Sequence, residues 1–212
     1  MKIVLLKEGV HKDVDKDDPR FPNACTEICS AVILLKAENS EEENIIIDTG
    51  NWGYEKEILT ELEKQGVKQD EIKWIVNTHM HLDHISNNYL FKNAVRVSKN
   101  GFWFADKSGY WFDDPEEIKV PGIKIISTPG HTPDQRSIVV ESEGKTYAIA
   151  GDAIQAEYII KGTFGVPSNQ DYIDSAKKIV DMADVIIPGH GKIIEGQDLE
   201  DLKKAVYKME VK

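Results

Sequence analysis

Short apolar runs, separated by polar stretches, recur along the whole chain and predict buried strands joined by turns. The charged segment Glu41–Asn44 suits a solvated turn between two of these runs. The runs fall in both halves of the chain, so we expect strands in both halves. The predicted strands are Ile3–Leu6, Ala31–Leu35, Ile45–Ile47, Ile72–Val76, Ala94–Val97, Ile123–Ile126, Ile138–Val140, Tyr147–Ala150 and Val185–Ile187.

Three segments have the apolar spacing of helices. Tyr54–Gln65 is followed by Gly66, which is typical of a helix end, and Asp171–Met182 and Leu199–Met209 have a similar periodicity. Each half of the chain therefore carries strands followed by a helix. This order is compatible with two sheets packed face to face between outer helices, although periodicity alone does not distinguish that layout from other α/β folds.

The length and composition are those of an ordinary globular chain. Its 212 residues suffice for a sizeable core, and we expect a single domain over residues 1–212. No apolar run reaches the roughly 18 residues of a transmembrane helix, so we expect no membrane partner. The apolar run after Met1 is too short for the core of a signal peptide, so a cytoplasmic location is expected.

The net charge of −11 bears on the choice of partners. An acidic surface repels polyphosphates at long range, so nucleic acid is disfavoured as a general partner. A nuclease needs only a local positive groove, which metal ions would supply. Nucleic acid therefore stays open as a substrate.

The two cysteines, Cys25 and Cys29, form one C-x3-C pair. One pair is too few thiols for a four-ligand zinc site. Two reduced thiols are the simplest interpretation, and a redox pair is the alternative.

Five of the six histidines lie in three short clusters, each directly after a predicted strand, and only His11 does not. The densest cluster, H-x-H-x-D-H, runs from His79 to His84. A tight loop at a strand end allows such side chains to converge, and imidazole nitrogens with a carboxylate oxygen suit zinc, iron, nickel or manganese. The density of this cluster predicts a metal site.

Three further candidates are weaker signals when taken singly. His131 lies in a Thr-Pro-Gly-His segment, Asp152 follows Gly151, and His190 lies between two glycines. Each segment alone is compatible with an ordinary turn. Because all three follow apolar strands, we expect them to join the H-x-H-x-D-H cluster in one site.

In this order along the chain, Asp48-Thr49-Gly50, the H-x-H-x-D-H cluster and the three later candidates resemble the motifs of the metallo-β-lactamase-fold superfamily. The resemblance covers about residues 30–195 and implies an α+β fold, a four-layer αββα sandwich with the site at one edge between the sheets. It implies that Asp48 positions the metal-binding loop, and a plain Asp-Thr-Gly turn is the alternative. The implied metal ligands are His79, His81 and His131 for a first ion, Asp83, His84 and His190 for a second, and Asp152 as a bridge.

The expected cofactors are two divalent metal ions, with zinc preferred and iron or manganese as alternatives. Two ions about 3.5–4 Å apart lower the pKa of a shared water from 15.7 toward about 7. The resulting metal-bridged hydroxide would cleave an ester-like bond in a small-molecule thioester, lactone or phosphodiester, with Asp83 as the catalytic residue that orients it and accepts its proton. The alternatives are a mononuclear iron enzyme of the persulfide dioxygenase type and a ribonuclease or phosphodiesterase of nucleic acid.

Within the superfamily, the chain is most similar to the small single-domain proteins called metallo-β-lactamase domain-containing protein 1 and their microbial relatives. The similarity rests on Ile47–Gly50, Thr78–Asn87, Thr128–His131 and Ala183–Gly191. The animal members are described as RNA-cleaving hydrolases. The resemblance thus keeps the ribonuclease alternative open.

Two segments between the metal motifs are candidates for the walls of a pocket. The aromatic cluster, defined as the six aromatic residues of Phe102–Phe112, predicts a buried core, a homodimer interface or a hydrophobic lip over the metals. Tyr158–Ser168 predicts a mobile opposite wall or an ordinary surface loop.

Overall fold

The strands form two large sheets and a separate two-stranded ribbon in the computed structural model, which describes residues 1–13, 25–98, 101–114, 117–162 and 169–211. In chain order they are β1 (Lys2–Lys7), β2 (Val10–Asp13), β3 (Cys25–Cys29), β4 (Val32–Lys36), β5 (Asn44–Ile47), β6 (Ile72–Val76), β7 (Val95–Ser98), β8 (Gly101–Trp103), β9 (Gly109–Trp111), β10 (Lys124–Ser127), β11 (Arg136–Ser142), β12 (Lys145–Gly151), β13 (Val185–Pro188) and β14 (Ile194–Glu195). The first sheet has the order β1-β4-β5-β6-β7-β8-β9 and the second has the order β10-β11-β12-β13-β14. The ribbon pairs β2 with β3.

Helices cover the outer faces of both sheets. The first sheet is covered by α1 (Glu55–Lys64), whereas α2 (Leu82–Ile85) is a single turn in the loop after β6. The second sheet is covered by α3 (Ala156–Lys161), α4 (Gln170–Met182) and α5 (Gly196–Val206). The side chain of Asn169 accepts a hydrogen bond from the backbone N–H of Tyr172 at 2.8 Å and so caps the start of α4. Among the described residues, no helix has the length and apolar character needed to cross a lipid bilayer.

The apolar strands are buried on both faces, which explains why their sequences are continuous rather than alternating. In β5, Ile45 and Ile47 join the core between the two sheets, whereas Ile46 packs against the outer side with Ile58 and Leu62 of α1. On the far side, β12 and β13 pack against α3, α4 and α5. The layers are therefore helix, sheet, sheet and helix, and the predicted αββα sandwich is confirmed.

The predicted strands match the observed ones to within a few residues, and β6 matches over its whole length. The predicted helices correspond to α1, α4 and α5, although α5 begins earlier, at Gly196, and ends at Val206. The pattern did not predict the ribbon strands β2 and β3, the short strands β8, β9 and β14, or the short helices α2 and α3. These short elements offer too few residues for a clear period.

The sheet topology brings several chain segments to one edge of the sandwich. β5 runs parallel to β6, and β12 runs parallel to β13, so the carboxyl ends within each pair lie side by side. The loop between β10 and β11 reaches the same edge, because the backbone N–H of Arg136 donates to the carbonyl of Thr78 at 2.9 Å. Every candidate cluster of the sequence follows one of these strands.

Candidate metal centre

The H-x-H-x-D-H segment folds as a bend and a single helical turn directly after β6. His79 lies in the bend, and His81 precedes the first residue of α2 in extended conformation. The turn of α2 then carries Asp83 and His84 inward, and the backbone N–H of His84 donates to the carbonyl of His81 at 3.0 Å. His79 and His84 are buried, whereas His81 is exposed at the rim.

The second half of the chain adds three side chains at the same edge. His131 lies in the loop between β10 and β11, Asp152 in the turn after β12, and His190 in the loop after β13. Ligand atoms of all seven candidates converge in three overlapping groups, in each of which the atoms lie within 4.8 Å of one another. The groups are His79, His81 and His131; His79, His84 and Asp152; and Asp83, His84 and His190.

Asp152 lies between the two sides of this cluster. Its Oδ1 atom is 3.3 Å from Nε2 of His84 and 3.6 Å from Nε2 of His190. Its Oδ2 atom is 3.4 Å from Nε2 of His131. The two oxygens of one carboxylate therefore face histidines on opposite sides, which is the arrangement required of a carboxylate shared by two ions.

His190 is oriented by the backbone of the ribbon. Its Nδ1 atom lies 3.1 Å from the carbonyl oxygen of Val10, which can only accept a hydrogen bond, so Nδ1 carries the proton. The other ring nitrogen, Nε2, lies 3.2 Å from Oδ2 of Asp83. A backbone carbonyl thus holds His190 in the tautomer that binds metal through Nε2.

Asp48 contacts the cluster through Thr78 and His84. It adopts a left-handed backbone conformation with φ of +52°, and its Oδ1 accepts from the backbone N–H of Thr78 at 2.8 Å. Its Oδ2 accepts from the Thr78 hydroxyl at 2.7 Å and lies 2.7 Å from Nδ1 of His84. Asp48 therefore orients His84 and the loop after β6, in agreement with the positioning role rather than a plain turn.

Gly189 leaves the space that this packing needs. A Cβ atom at position 189 would lie 2.1 Å from Oδ1 of Asp152 and 3.0 Å from Cε1 of His84. Any side chain here would therefore displace Asp152. The glycine beside His190, which looked like an ordinary turn residue in the sequence, is required by the close approach of the loop.

The residues present fit a metal ion because several buried polar atoms in the cluster make no hydrogen bond. Among the described residues these atoms are Nε2 of His79, Nε2 of His84, Oδ2 of Asp83 and Oδ1 of Asp152. Leaving such atoms unsatisfied is costly in a folded protein. Their convergence, and their chemistry as imidazole nitrogens and carboxylate oxygens, suit zinc or a related transition metal.

Burial and neighbouring charges set the protonation of the cluster. Burial lowers the pKa of His79 to about 2, and His84 adds to the effect, so His79 is the neutral imidazole that a metal requires. Burial would raise the pKa of Asp152, but the positive charges of His84 and His190 outweigh it and hold that pKa well below its usual range. Asp152 is therefore a carboxylate at neutral pH.

His11 is the residue that sequence reasoning missed. It was the one histidine outside the clusters, yet its ring centroid lies 5.8 Å from that of His190. Tyr158 of α3 lies against it, with Oη 3.0 Å from His11 Nδ1. No local pattern could have revealed this, because the approach depends on pairing between chain segments distant in sequence.

The remaining sequence candidates lie as follows. Of Tyr158–Ser168, the first residues belong to α3 rather than a loop, and residues 163–168 lie outside the described part of the chain. Cys25 and Cys29 lie at the two ends of strand β3, so an extended strand separates them, and they are free thiols. This separation argues against the redox-pair alternative.

The aromatic cluster divides between interior and surface. Phe102 and Phe112 pack against the core between the sheets. Trp111 and Tyr110 are 58% and 61% exposed and lie on β9, the edge strand of the first sheet. A wholly buried core is therefore excluded, while the lip and the interface stay predictions.

Comparison with known protein families gives one match that covers most of the chain. The sequence profile of the metallo-beta-lactamase superfamily matches residues 27–190. This range contains all seven converging side chains.

Individual relatives agree with that match. A Methanocaldococcus jannaschii protein named as a probable metallo-hydrolase is 33% identical over 159 residues, which is 73% of this chain and 74% of that protein. Metallo-beta-lactamase domain-containing protein 1 of Xenopus laevis is 31% identical over 200 residues, which is 88% of this chain and 78% of that protein. A Thermotoga maritima crystal structure of the metallo-beta-lactamase type is similar in fold, with a TM-score of 0.65 at 20% identity, over 92% of this chain and 99% of that one.

Proposed function

Because the chain belongs to the metallo-beta-lactamase superfamily and resembles metallo-hydrolases, we propose that it is a hydrolase that uses two divalent metal ions, zinc foremost, to cleave an ester-like bond. The substrate is a small-molecule thioester, lactone or phosphodiester. Under this proposal His79, His81 and His131 bind the first ion, whereas Asp83, His84 and His190 bind the second.

The observation that supports this proposal most directly is the position of Asp152. One carboxylate oxygen faces His84 and His190, and the other faces His131. A single ion would need the ligands that face only one of these two oxygens. A shared carboxylate also offsets the repulsion between two dications, so its presence between two ligand groups favours a dinuclear centre.

The pair of ions, when bound, supplies Lewis acidity and a hydroxide nucleophile at neutral pH. The chain's own residues then have separate tasks. Asp83 is only 9% exposed, and burial, which would raise its pKa, is outweighed by His190 and His84, so its side chain stays a carboxylate that can accept a proton. Asp48 and the carbonyl of Val10 hold His84 and His190 in place.

Two alternatives make different demands on the site. A mononuclear iron enzyme of the persulfide dioxygenase type would leave Asp83, His84 and His190 without a bound ion, although these three ligand groups lie within 4.8 Å of one another. A nuclease would need to overcome the net charge of −11. We therefore favour the small-molecule hydrolase.

A substrate panel tests the proposal. Zinc-loaded protein is assayed with p-nitrophenyl acetate, a thioester, an acyl homoserine lactone, bis-p-nitrophenyl phosphate and a short RNA. We expect turnover of at least one of the first four, its loss after dialysis against a chelator, and its return with zinc. Turnover that is limited to RNA, or that survives chelation, would contradict the proposal.

A further inference from the structure

Two large apolar side chains are exposed beside the candidate metal centre. Leu82 is 59% exposed and lies in the chain between His81 and Asp83, two of the candidate ligands. Trp52 is 62% exposed and lies in the loop that follows β5 and the positioning residue Asp48. Single apolar residues are normal on a protein surface, but an apolar patch that borders a site is typical of ligand binding.

A continuous line of residues connects these two side chains. On α2, Leu82 and Ile85 are three residues apart and therefore lie on one face of the helical turn. Ile85 is half-buried and forms a bridge with Gly50, which lies two residues before Trp52. We call Leu82, Ile85 and Trp52 the apolar strip. It runs from the candidate ligands along α2 to the loop after β5, so a molecule bound at the centre is adjacent to one end of it.

Hydrogen bonds hold the loop that carries Trp52. The side-chain amide of Asn51 donates to the carbonyl of Ile28 at 2.9 Å, and the carbonyl of Asn51 accepts from the side chain of Asn87 at 2.7 Å. The backbone N–H of Trp52 donates to the side-chain oxygen of Asn51 at 2.9 Å. The exposed tryptophan thus belongs to a loop that is tied to β3 and to the residues after α2. This fixed position reduces the entropy that is lost when a ligand covers the ring.

The chemistry of the apolar strip determines which ligand fits it. Leucine, isoleucine and tryptophan side chains bind hydrocarbon because contact removes apolar surface from water. They offer no charge to a phosphate group, and the net charge of −11 repels a polyanion at long range. An uncharged acyl chain is therefore the ligand that matches the strip.

We propose that the apolar strip binds the acyl chain of the substrate, so that the bond cleaved is the ester or thioester bond of a fatty acid rather than a phosphodiester. The proposal rests on the hydrolase proposed above and narrows its substrate class. Water adds across the acyl–oxygen or acyl–sulfur bond and gives the fatty-acid carboxylate, a proton and the alcohol or thiol. The carboxyl end lies beside Leu82, and the chain extends along α2 toward Trp52.

Binding of the carboxylate products tests the apolar strip without turnover. Calorimetry on zinc-loaded protein measures the affinity for octanoate and for acetate, which share the carboxylate and differ in the chain. We expect wild type to bind octanoate at least about tenfold more tightly, since burial of about two methylenes gives that ratio. In Trp52→Ala and in Leu82→Ala the ratio should fall to about threefold or less, whereas Trp52→Phe should keep it. Zinc content and melting temperature of the Trp52 variants should equal those of wild type.

Tyr207→Ala is the matched control. Tyr207 is 53% exposed, and its hydroxyl donates to Asp181 at 2.6 Å. Asp181 lies in α4 before β13 begins, whereas the centre lies after β13 ends, so Tyr207 is at the opposite edge of the sheet. This variant should keep the wild-type ratio of the two affinities.

Three results would overturn the apolar strip: equal affinity of wild type for octanoate and acetate, a wild-type ratio in either alanine variant, or an equal loss in Tyr207→Ala. The proposed hydrolase fails separately, if wild type turns over no substrate of the panel, and the affinity ratio still decides on the strip in that case. If both proposals hold, Trp52→Ala should raise the KM for p-nitrophenyl octanoate more than it changes kcat.

Discussion

The Oδ2 atom of Asp48 lies 2.7 Å from Nδ1 of His84, and the opposite nitrogen of that ring points at the candidate metal ligands. Nε2 of His84 is 3.3 Å from Asp152 and 3.5 Å from Asp83. Burial would lower the pKa of His84, but the carboxylates of Asp152 and Asp48 outweigh it and raise that pKa. Asp48 thus fixes the orientation of an imidazole without lying among the ligand atoms themselves.

Asp48→Asn should weaken metal binding. The amide keeps the shape but loses the charge that orients His84, and the loss of such a partner costs about 10- to 100-fold in metal affinity. Competition with a coloured chelator measures the affinity. Asp181→Asn, an exposed aspartate that contacts Tyr207, is the control and should bind metal like wild type. Equal affinities in the three proteins would contradict the positioning role of Asp48.

Gly189→Ala should disrupt the metal centre by a steric clash alone. The new Cβ would lie 2.1 Å from Oδ1 of Asp152, so the carboxylate must move. We expect loss of bound metal, measured by elemental analysis, and destabilisation by about 1–3 kcal/mol, the usual cost of overpacking. At Gly53 a Cβ would meet nothing within 4 Å, so Gly53→Ala should keep its metal despite backbone strain. Full metal content in Gly189→Ala would show that the loop relaxes.

Asp83→Asn should separate catalysis from metal binding at the first site. The variant removes the charge and basicity of the carboxylate but keeps its size. Turnover should fall by at least about 10²-fold, the contribution of a general base. The histidine group of His79, His81 and His131 should still bind one ion. Unchanged turnover on the best substrate of the panel would refute a catalytic role for Asp83.

The parts of this structure that sequence predicted are those with a strong local signal. The run Ile72–Val76 is apolar except for the exposed Lys73, because Ile75 and Val76 are buried on the two faces of β6, and His79 follows shortly after it. The apolar run predicts the strand, and the dense histidine motif that follows it predicts the metal site. The same reasoning predicted the other strand-end candidates, which the fold brings to one edge.

The parts that sequence did not predict depend on contacts between distant residues. His11 lies 179 positions from His190 and meets it only because the ribbon pairs with the loop after β13. Strands β8 and β9 have three residues each, too short for a period, and Gly101 and Gly109 weaken the strand signal further. Pairing between segments that are distant in sequence produces no pattern within a short stretch of residues.

Trp111→Ala should change the oligomeric state rather than the core. Trp111 is 58% exposed and packs on Trp103 with ring centroids 4.5 Å apart, so its loss should cost less than the roughly 3–5 kcal/mol of a buried aromatic. All three residues of β9 are exposed at a sheet edge. Symmetric antiparallel pairing of two copies about Tyr110 would bring Lys107 of one near Asp113 of the other. We therefore expect a wild-type homodimer.

Light scattering after gel filtration measures this state. Wild type should elute as a dimer and Trp111→Ala as a monomer with a similar melting temperature. Trp52→Ala removes an equally exposed tryptophan from another surface, at 62% exposure, and should stay dimeric. A monomeric wild type, or a Trp111→Ala variant with altered substrate preference and unchanged elution, would favour the lip instead.

The metal content of the wild type and of Asp152→Ala tests the dinuclear centre most directly. Asp152 faces His84 and His190 with one oxygen and His131 with the other, so it should hold two ions together. Elemental analysis of purified protein should find about two divalent ions per chain, mainly zinc. In Asp152→Ala the content should fall to one ion or fewer, with loss of turnover. A single iron per chain in the wild type, or two ions and full turnover in the variant, would contradict the account.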